Sequence, residues 1–352
     1  MSAKNTRTVK TPLAPAHADR AGRVPHDPAV EEMLGLYYYV SLARAVDERM
    51  WALQRSGRAA FVISGQGHEG AQVGTAYALD RERDWLVPFY RSVGSVLVKG
   101  MPPAELFLIQ LGKSTDPSSG GRQMPGHYGH SRHKILSTSS PVATQLLHAA
   151  GIAFAAKLRR TGEVSLTSLG EGATSEGDFH EALNFASVHR LPVVFVVENN
   201  GYAISVPQRK QMAVANVSAR AAGYGMPGVT VDGSHVLEVY AAACEAVARA
   251  RGGEGPTLLE VKVPRLTAHS SDDRQEKYRS ADDLAQARMQ DPVHVFTQEL
   301  RARGLLTPAA EQEIQARIVR EVDEGTEIAE AAPLPDPATA TRHVYAETED
   351  LR

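Results

Sequence analysis

Cysteine is almost missing from this chain. Its 352 residues include one, Cys244, which excludes an intramolecular disulfide framework and fits a reducing compartment. Long apolar runs are missing too, and none approaches the ~20 residues that cross a bilayer. There is no excess of charge of one sign. The formal net charge is −3 and the pI is near 6.5, so neither nucleic acid nor a membrane surface is indicated as a partner. No internal repeat and no linker between independent domains is visible. The length suits one large α/β domain or two small ones.

The first 27 residues hold Lys4, Arg7, Lys10, Arg20 and Arg23 with few large apolar groups. They resemble an organelle transit peptide in composition, but Pro12 and Pro15 spoil a long amphipathic helix. They read as a flexible arm able to reach over a partner subunit. Residues 28–332 read as one domain, and 333–352 as a Pro- and Ala-rich tail.

Apolar residues at helical spacing predict a long helix from Pro28 to Gln54, with Tyr37, Tyr38 and Tyr39 in core and interface. Gln66 to Leu79, rich in glycine and alanine, predicts a closely packed helix. A short strand is expected from Trp85 to Phe89, then helices from Arg91 to Gly100 and Ala104 to Gly112. Residues 113–138 form a long loop dense in Gly, Ser, Pro and His, of a kind that is often functional. An Ala-rich helix from Val142 to Arg159 follows. Beyond it, strands at Glu163–Leu169, Leu191–Val197, Gly228–Val231 and Pro256–Val263 alternate with helices at Glu176–His189 and Ser234–Arg251. That alternation predicts a largely parallel sheet with helices on both faces. Leu266 to Ser280 is a second polar loop. Helices are expected over Pro292–Arg303 and Pro308–Ala331.

The densest chemistry lies between residues 170 and 200. Gly170-Glu171-Gly172 ends a predicted strand, and Asn199-Asn200 ends the next. Glu171 and Asn200 are 29 positions apart, a spacing that strand, turn, helix and strand can close into one crevice at the carboxyl edge of a parallel sheet. Glycines there let a diphosphate approach the backbone, the following helix turns its amides toward the anion, and Glu171 and Asn200 offer hard oxygens to magnesium. Alone, Gly-x-Gly is a tight turn, and Glu171 a helix-terminal acid favoured by the macrodipole.

With its Asn-Asn partner, the pattern resembles the thiamin diphosphate motif. The segments Gly172 to Asp178 and Glu198 to Ser205 are similar to the alpha subunit of the decarboxylating component of 2-oxo acid dehydrogenase complexes. The resemblance runs from about Tyr37 to Arg279, and more loosely beyond. The generic motif has Asp between the glycines; branched-chain members can carry Glu, as here, which leans toward the 2-oxoisovalerate type.

The resemblance implies roles residue by residue. Gly170, Glu171, Gly172 and Ala173 would face the cofactor. Glu171, Asn200 and the main-chain carbonyl of Tyr202 would ligate magnesium. Tyr90 and Arg91, which alone would read as a helix opening, match a diphosphate-binding pair. Ser139 to Gln145 reads from its proline as a helix entrance. The resemblance puts Ser140 and Val142 near the cofactor and matches Ser139, Pro141, Thr144 and Gln145 to a potassium site. His127 would face substrate, and His269 would stand beside the diphosphate and the reacting carbon as a proton donor. Zinc is disfavoured, because the loop histidines lack cysteine or regular ligand spacing. Ser270 matches a serine that a dedicated kinase phosphorylates in some members, where added phosphate beside Asp272 and Asp273 would disorder the loop.

The implied activity is oxidative decarboxylation of a branched-chain 2-oxo acid such as 3-methyl-2-oxobutanoate, with acyl transfer to a lipoyl group of the acyltransferase component. Pyruvate or acetoin is the alternative substrate. The pyrimidine-activating glutamate of this family comes from a beta subunit, so a heterotetramer of two alpha and two beta chains is expected, with helices Gln66–Leu79 and Val142–Arg159 at the interface. A bacterial-type chain of this kind would be cytoplasmic, and a eukaryotic one would lie in the mitochondrial matrix. A self-sufficient thiamin enzyme and a silent regulatory paralogue are the competing readings. Activity of the isolated chain would favour the first, and absence of magnesium-dependent cofactor binding the second.

Overall fold

A computed structural model describes residues 28–342, 344 and 345; the N-terminal arm lies outside them. The helices are α1 (Val30–Arg55), α2 (Glu69–Tyr77), α3 (Val93–Lys99), α4 (Pro103–Gln110), α5 (Thr144–Arg159), α6 (Gly177–Val188), α7 (Val236–Arg251), α8 (Ala281–Met289), α9 (Pro292–Ala302) and α10 (Pro308–Ala331). The strands are β1 (Trp85–Val87), β2 (Ser165–Gly170), β3 (Val193–Asn199), β4 (Tyr202–Ala203), β5 (Val206–Pro207), β6 (Gly228–Asp232) and β7 (Thr257–Lys262).

Five strands form one parallel sheet in the order β1-β2-β3-β7-β6. At its centre β3 is buried along its whole length, which is why Val193 to Val197 reads as an unbroken apolar run rather than an alternating one. Its side chains still alternate between faces. Val194 and Val196 join a core built with α1, α2, α3, α4, α7, α9 and α10. Val193, Phe195 and Val197 join a second core with α5, α6 and the 3-10 stretch Val217–Tyr224. Each such apolar side chain contributes roughly 1.5–3 kcal/mol through burial.

The expected parallel sheet with helices on both faces is present. Tyr37, Tyr38 and Tyr39 are buried. Several local expectations need correction. The helix expected from Gln66 begins at Glu69, because Ser64, Gly65 and Gln66 are pinned as a turn. The buried Asp47 carboxylate accepts from the Ser64 hydroxyl at 2.7 Å, the Gly65 amide at 2.7 Å and the Gln66 side chain at 2.9 Å. All nine residues of α2 are buried within this chain, so this helix does not offer the interface surface assigned to it. A Cβ on Gly70 would meet the Gly233 carbonyl at 2.1 Å, so its glycines serve internal packing. By contrast α5, the other expected interface helix, keeps an exposed side that includes Leu158.

The helix expected from Val142 starts at Thr144, after Ala143 turns the chain with φ 72°. Helix α8 was not anticipated. Its sequence is largely polar, and its one start signal is Ser280, which caps it by accepting the Asp283 amide at 3.1 Å. The same device opens α9 and α10, where Asp291 and Thr307 cap helices whose first residue is proline. The tail is tied to the long loop, since the Pro333 carbonyl accepts the Ser114 amide at 3.0 Å. Among the described residues no helix is long and apolar enough to cross a membrane.

Candidate active site

A cavity of about 410 Å³ opens at the carboxyl edge of the sheet. It is lined by segments that follow four strands: Phe89, Tyr90 and Arg91 after β1; Gly170 to Ala173 at the end of β2; Asn200 and Tyr202 to Ile204 after β3; and His269 after β7. Parallel α/β sheets bind ligands at this edge because strand-ending loops converge there. Leu169 and, from the entrance to α5, Ser140, Val142 and Gln145 complete the wall. Of the residues singled out above, Ser139, Pro141, Thr144 and His127 are not in the lining. His127 stands directly behind it, with Nε2 2.9 Å from the Ser140 hydroxyl and Nδ1 donating to the Met124 carbonyl at 2.8 Å.

Residues 171–175 form a 3-10 turn before α6 begins. The amides bordering the cavity therefore belong to that turn, not to the helix end expected from the sequence. A Cβ on Gly172 would stand 2.8 Å from the Ala203 Cβ, so only glycine lets the hairpin β4–β5 close against the turn.

Glu171 is 1% exposed. Its Oε2 accepts the Asn200 amide at 3.2 Å, and its Oε1 has no hydrogen-bond partner. A buried carboxylate oxygen without a partner is costly, and burial pushes this carboxyl above the usual range, with backbone amides opposing the shift. A divalent cation is the natural partner for such an oxygen. The Asn200 Oδ1 already accepts the Tyr202 amide at 3.1 Å and retains a second lone pair. The donor set, a carboxylate with amide and main-chain oxygens, suits magnesium.

Arg91 is 2% exposed. One terminal nitrogen donates to the Ser64 carbonyl at 2.5 Å; the other donates to His269 Nδ1 at 2.9 Å and to the His269 carbonyl at 3.0 Å. The guanidinium lies 5.4 Å from the centre of the Tyr90 ring, which meets the His269 ring edge-on. Burial first, then Arg91 and Arg265, push the His269 pKa down to about 4. The imidazole is neutral at pH 7, with Nδ1 accepting from Arg91 and Nε2 left to carry the proton. Asp273 holds the His269 backbone amide at 2.8 Å and accepts from the Tyr278 hydroxyl at 2.5 Å. Ser270 beside it is buried.

Several further residues belong to the site. Arg265, 1% exposed, donates to the Ile204 carbonyl at 2.8 Å and to the Tyr278 hydroxyl at 2.6 Å. It thereby holds Ile204 at φ 55°, a rare conformation for a β-branched residue. His68 and Glu198 form a buried pair at 2.8 Å behind Asn200. Burial pushes the His68 pKa down although Glu198 opposes it. Their partners are 130 positions apart, so no local pattern links them. An acid inside an apolar strand was the one available signal. His130 and His133 lie away from the cavity, beside Glu105 and Gly100, and no group of three or more His, Cys, Asp or Glu among the described residues is arranged to hold a metal ion.

Known proteins resemble this chain over most of its length. Residues 37–338 match the sequence profile of the dehydrogenase E1 component. The chain is 50% identical over 316 residues to the 2-oxoisovalerate dehydrogenase subunit alpha of Bacillus subtilis, covering 90% of this chain and 96% of that one. It is 40% identical over 306 residues to a 3-methyl-2-oxobutanoate dehydrogenase subunit alpha of Mycobacterium tuberculosis, covering 87% and 80% of the two chains. It is 37% identical over 336 residues to the mitochondrial 2-oxoisovalerate dehydrogenase subunit alpha of Homo sapiens, covering 94% and 75%. With most of its length matched by the profile and by these relatives, this chain belongs to the dehydrogenase E1 component family.

Proposed function

We propose that this chain is the alpha subunit of a branched-chain 2-oxo acid dehydrogenase, acting on 3-methyl-2-oxobutanoate with thiamin diphosphate and magnesium. The observation that carries the reading is the cavity at four strand ends, whose wall joins Glu171, with its Oε1 unpartnered, to Gly170, Gly172, Asn200 and Arg91. The names of the relatives supply the substrate. Residues 28–332 serve as one binding domain.

Bound thiamin diphosphate supplies an electron sink for loss of carbon dioxide from the 2-oxo acid. The protein groups bind, orient and move protons. Glu171, Asn200 and the Tyr202 carbonyl hold magnesium, while Tyr90 and Arg91 bind the diphosphate and Gly172 lets its oxygens near the backbone. His269, neutral with Nε2–H, donates toward the reacting carbon, and Arg91 fixes that tautomer. His127 orients the Ser140 hydroxyl on the substrate side, next to Val142. Gln145 donates to the Ser168 carbonyl at 2.9 Å, which leaves its oxygen free to join Ser139, Pro141 and Thr144 around a potassium ion. The cavity wall holds one carboxylate, Glu171; the acid that activates the pyrimidine comes from a beta subunit in a two-alpha, two-beta assembly. The disulfide of a lipoyl domain on an acyltransferase component would take up the decarboxylated unit together with its two electrons, opening to an acyl thioester and a thiol, in the cytoplasm. The test is to reconstitute the chain with its beta subunit and compare kcat/KM on 3-methyl-2-oxobutanoate and pyruvate. A preference for the branched acid by ten-fold or more is expected, as about 1–3 kcal/mol of pocket contacts allows; a preference for pyruvate refutes the substrate assignment.

A further inference from the structure

Asn200 presents an amide with two unlike ends, and only its oxygen can ligate a cation. Two buried side chains outside the cavity wall stand in a chain behind that amide. Glu198, near the end of β3, is 1% exposed, and His68 is fully buried. Glu198 Oε2 lies 2.8 Å from His68 Nδ1 and accepts from Gln72 Nε2 at 3.1 Å. A ring nitrogen facing a carboxylate carries the proton, so Nδ1 donates and Nε2 keeps its lone pair. That lone pair stands 3.2 Å from Asn200 Nδ2 and can only accept from it.

The opposite end of the amide is held as well, because Oδ1 accepts the Tyr202 backbone amide at 3.1 Å. Turning the amide end for end would set oxygen against the Nε2 lone pair and the NH2 against the Tyr202 N–H. Two hydrogen bonds would become two repulsive contacts, one of them against the buried His68 ring. Gln72 extends the arrangement toward the diphosphate side, since the same Nε2 donates to the Arg91 carbonyl at 2.8 Å.

We propose that Glu198 and His68 are positioning residues which lock the Asn200 amide with its oxygen toward the magnesium ion. The proposal rests on the reading of Asn200 as a metal ligand. It implies that His68 acts through its tautomer, and that Glu198 acts one step further away by setting that tautomer. A Gln at 198 keeps the size of the side chain but can offer either end of its own amide to His68, so the tautomer is no longer dictated.

The experiment uses the full chain assembled with its beta subunit and measures Mn2+ affinity by electron paramagnetic resonance at saturating thiamin diphosphate, without substrate. His68→Leu is expected to weaken Mn2+ binding by about tenfold or more, and Glu198→Gln by a smaller factor, the range seen when residues supporting metal ligands are removed. His68→Gln, which can still offer an acceptor to Asn200, should recover most of the loss. A merely structural role would lower the melting temperature of all three variants without selective rescue of metal affinity. If His68→Leu does not fold, Glu198→Gln and His68→Gln carry the test. A folded His68→Leu that binds Mn2+ within about twofold of the parent overturns the proposal, and where it does not fold, a Glu198→Gln that does so overturns it. If Glu171→Ala loses Mn2+ while His68→Leu keeps it, the positioning role alone falls. If the parent shows no cofactor-dependent Mn2+ binding, the ligand reading of Asn200 falls with it.

Discussion

Glu171 joins two facts that rarely coexist, a buried carboxylate and an oxygen without a partner. Its removal should therefore cost the ligand more than the fold. Glu171→Ala is expected to abolish magnesium-dependent binding of thiamin diphosphate while leaving the melting temperature of the ligand-free protein near or above the parent's. Calorimetry showing unchanged affinity would refute the metal role. His269 makes a different prediction. His269→Ala should keep cofactor binding but slow turnover by ~10²-fold, the scale of a lost proton donor. Its folded pKa of about 4 lies below the ordinary value of 6.5, so the unfolded chain binds the extra proton first. The stabilising preference for neutral His269 is complete above pH 6.5 and is lost as pH falls from 6.5 toward 4. Melting temperature plotted against pH should thus fall less steeply in His269→Asn than in the parent; identical slopes would show that His269 does not titrate with folding.

At the scale of elements, the hairpin β4–β5 bears the clearest strain. Ile204 is 56% exposed yet sits at φ 55° and lines the cavity. Such a conformation costs about 1–3 kcal/mol, against roughly 0.5–1 kcal/mol of extra chain entropy for glycine. Ile204→Gly should leave stability unchanged or raise it, and should weaken thiamin diphosphate binding by removing an apolar wall. A clear drop in melting temperature with unaltered affinity would mean that the side chain supports the hairpin instead. The sequence carried no hint of this. Periodicity reveals elements whose burial is regular, which is why β3, α7 and α10 were legible to within a few residues. Gly170 to Gly172 and Asn199-Asn200 were legible because they end two adjacent parallel strands and because close approach at Gly172 restricts residue type. The hairpin, α8 and the His68–Glu198 pair were not, since their logic lies in contacts between distant segments or in a single capping serine. The burial of α2 was misread as an interface for the same reason: small residues announce close packing but not the partner.

For the whole molecule, the cavity wall with its single carboxylate predicts a half-site. The purified chain should show no 2-oxo acid decarboxylation with an artificial electron acceptor, and activity should appear when the beta subunit is added. Robust turnover by the chain alone would favour a self-sufficient enzyme. The full burial of β3 has a consequence for anyone who would redesign this enzyme. Its register pairs Gly170 with Glu198 on one side and Asn199 with Lys262 on the other, so the strand is both keel and ruler. Exposed positions in the loops that leave the strand ends can be exchanged to fit a new substrate with both cores left in place. A slip of one residue in β3 would turn every side chain to the opposite face, misplace Asn200, and empty both cores together. Libraries aimed at specificity should leave these seven residues untouched and spend their diversity on residues 139–145 and 202–206.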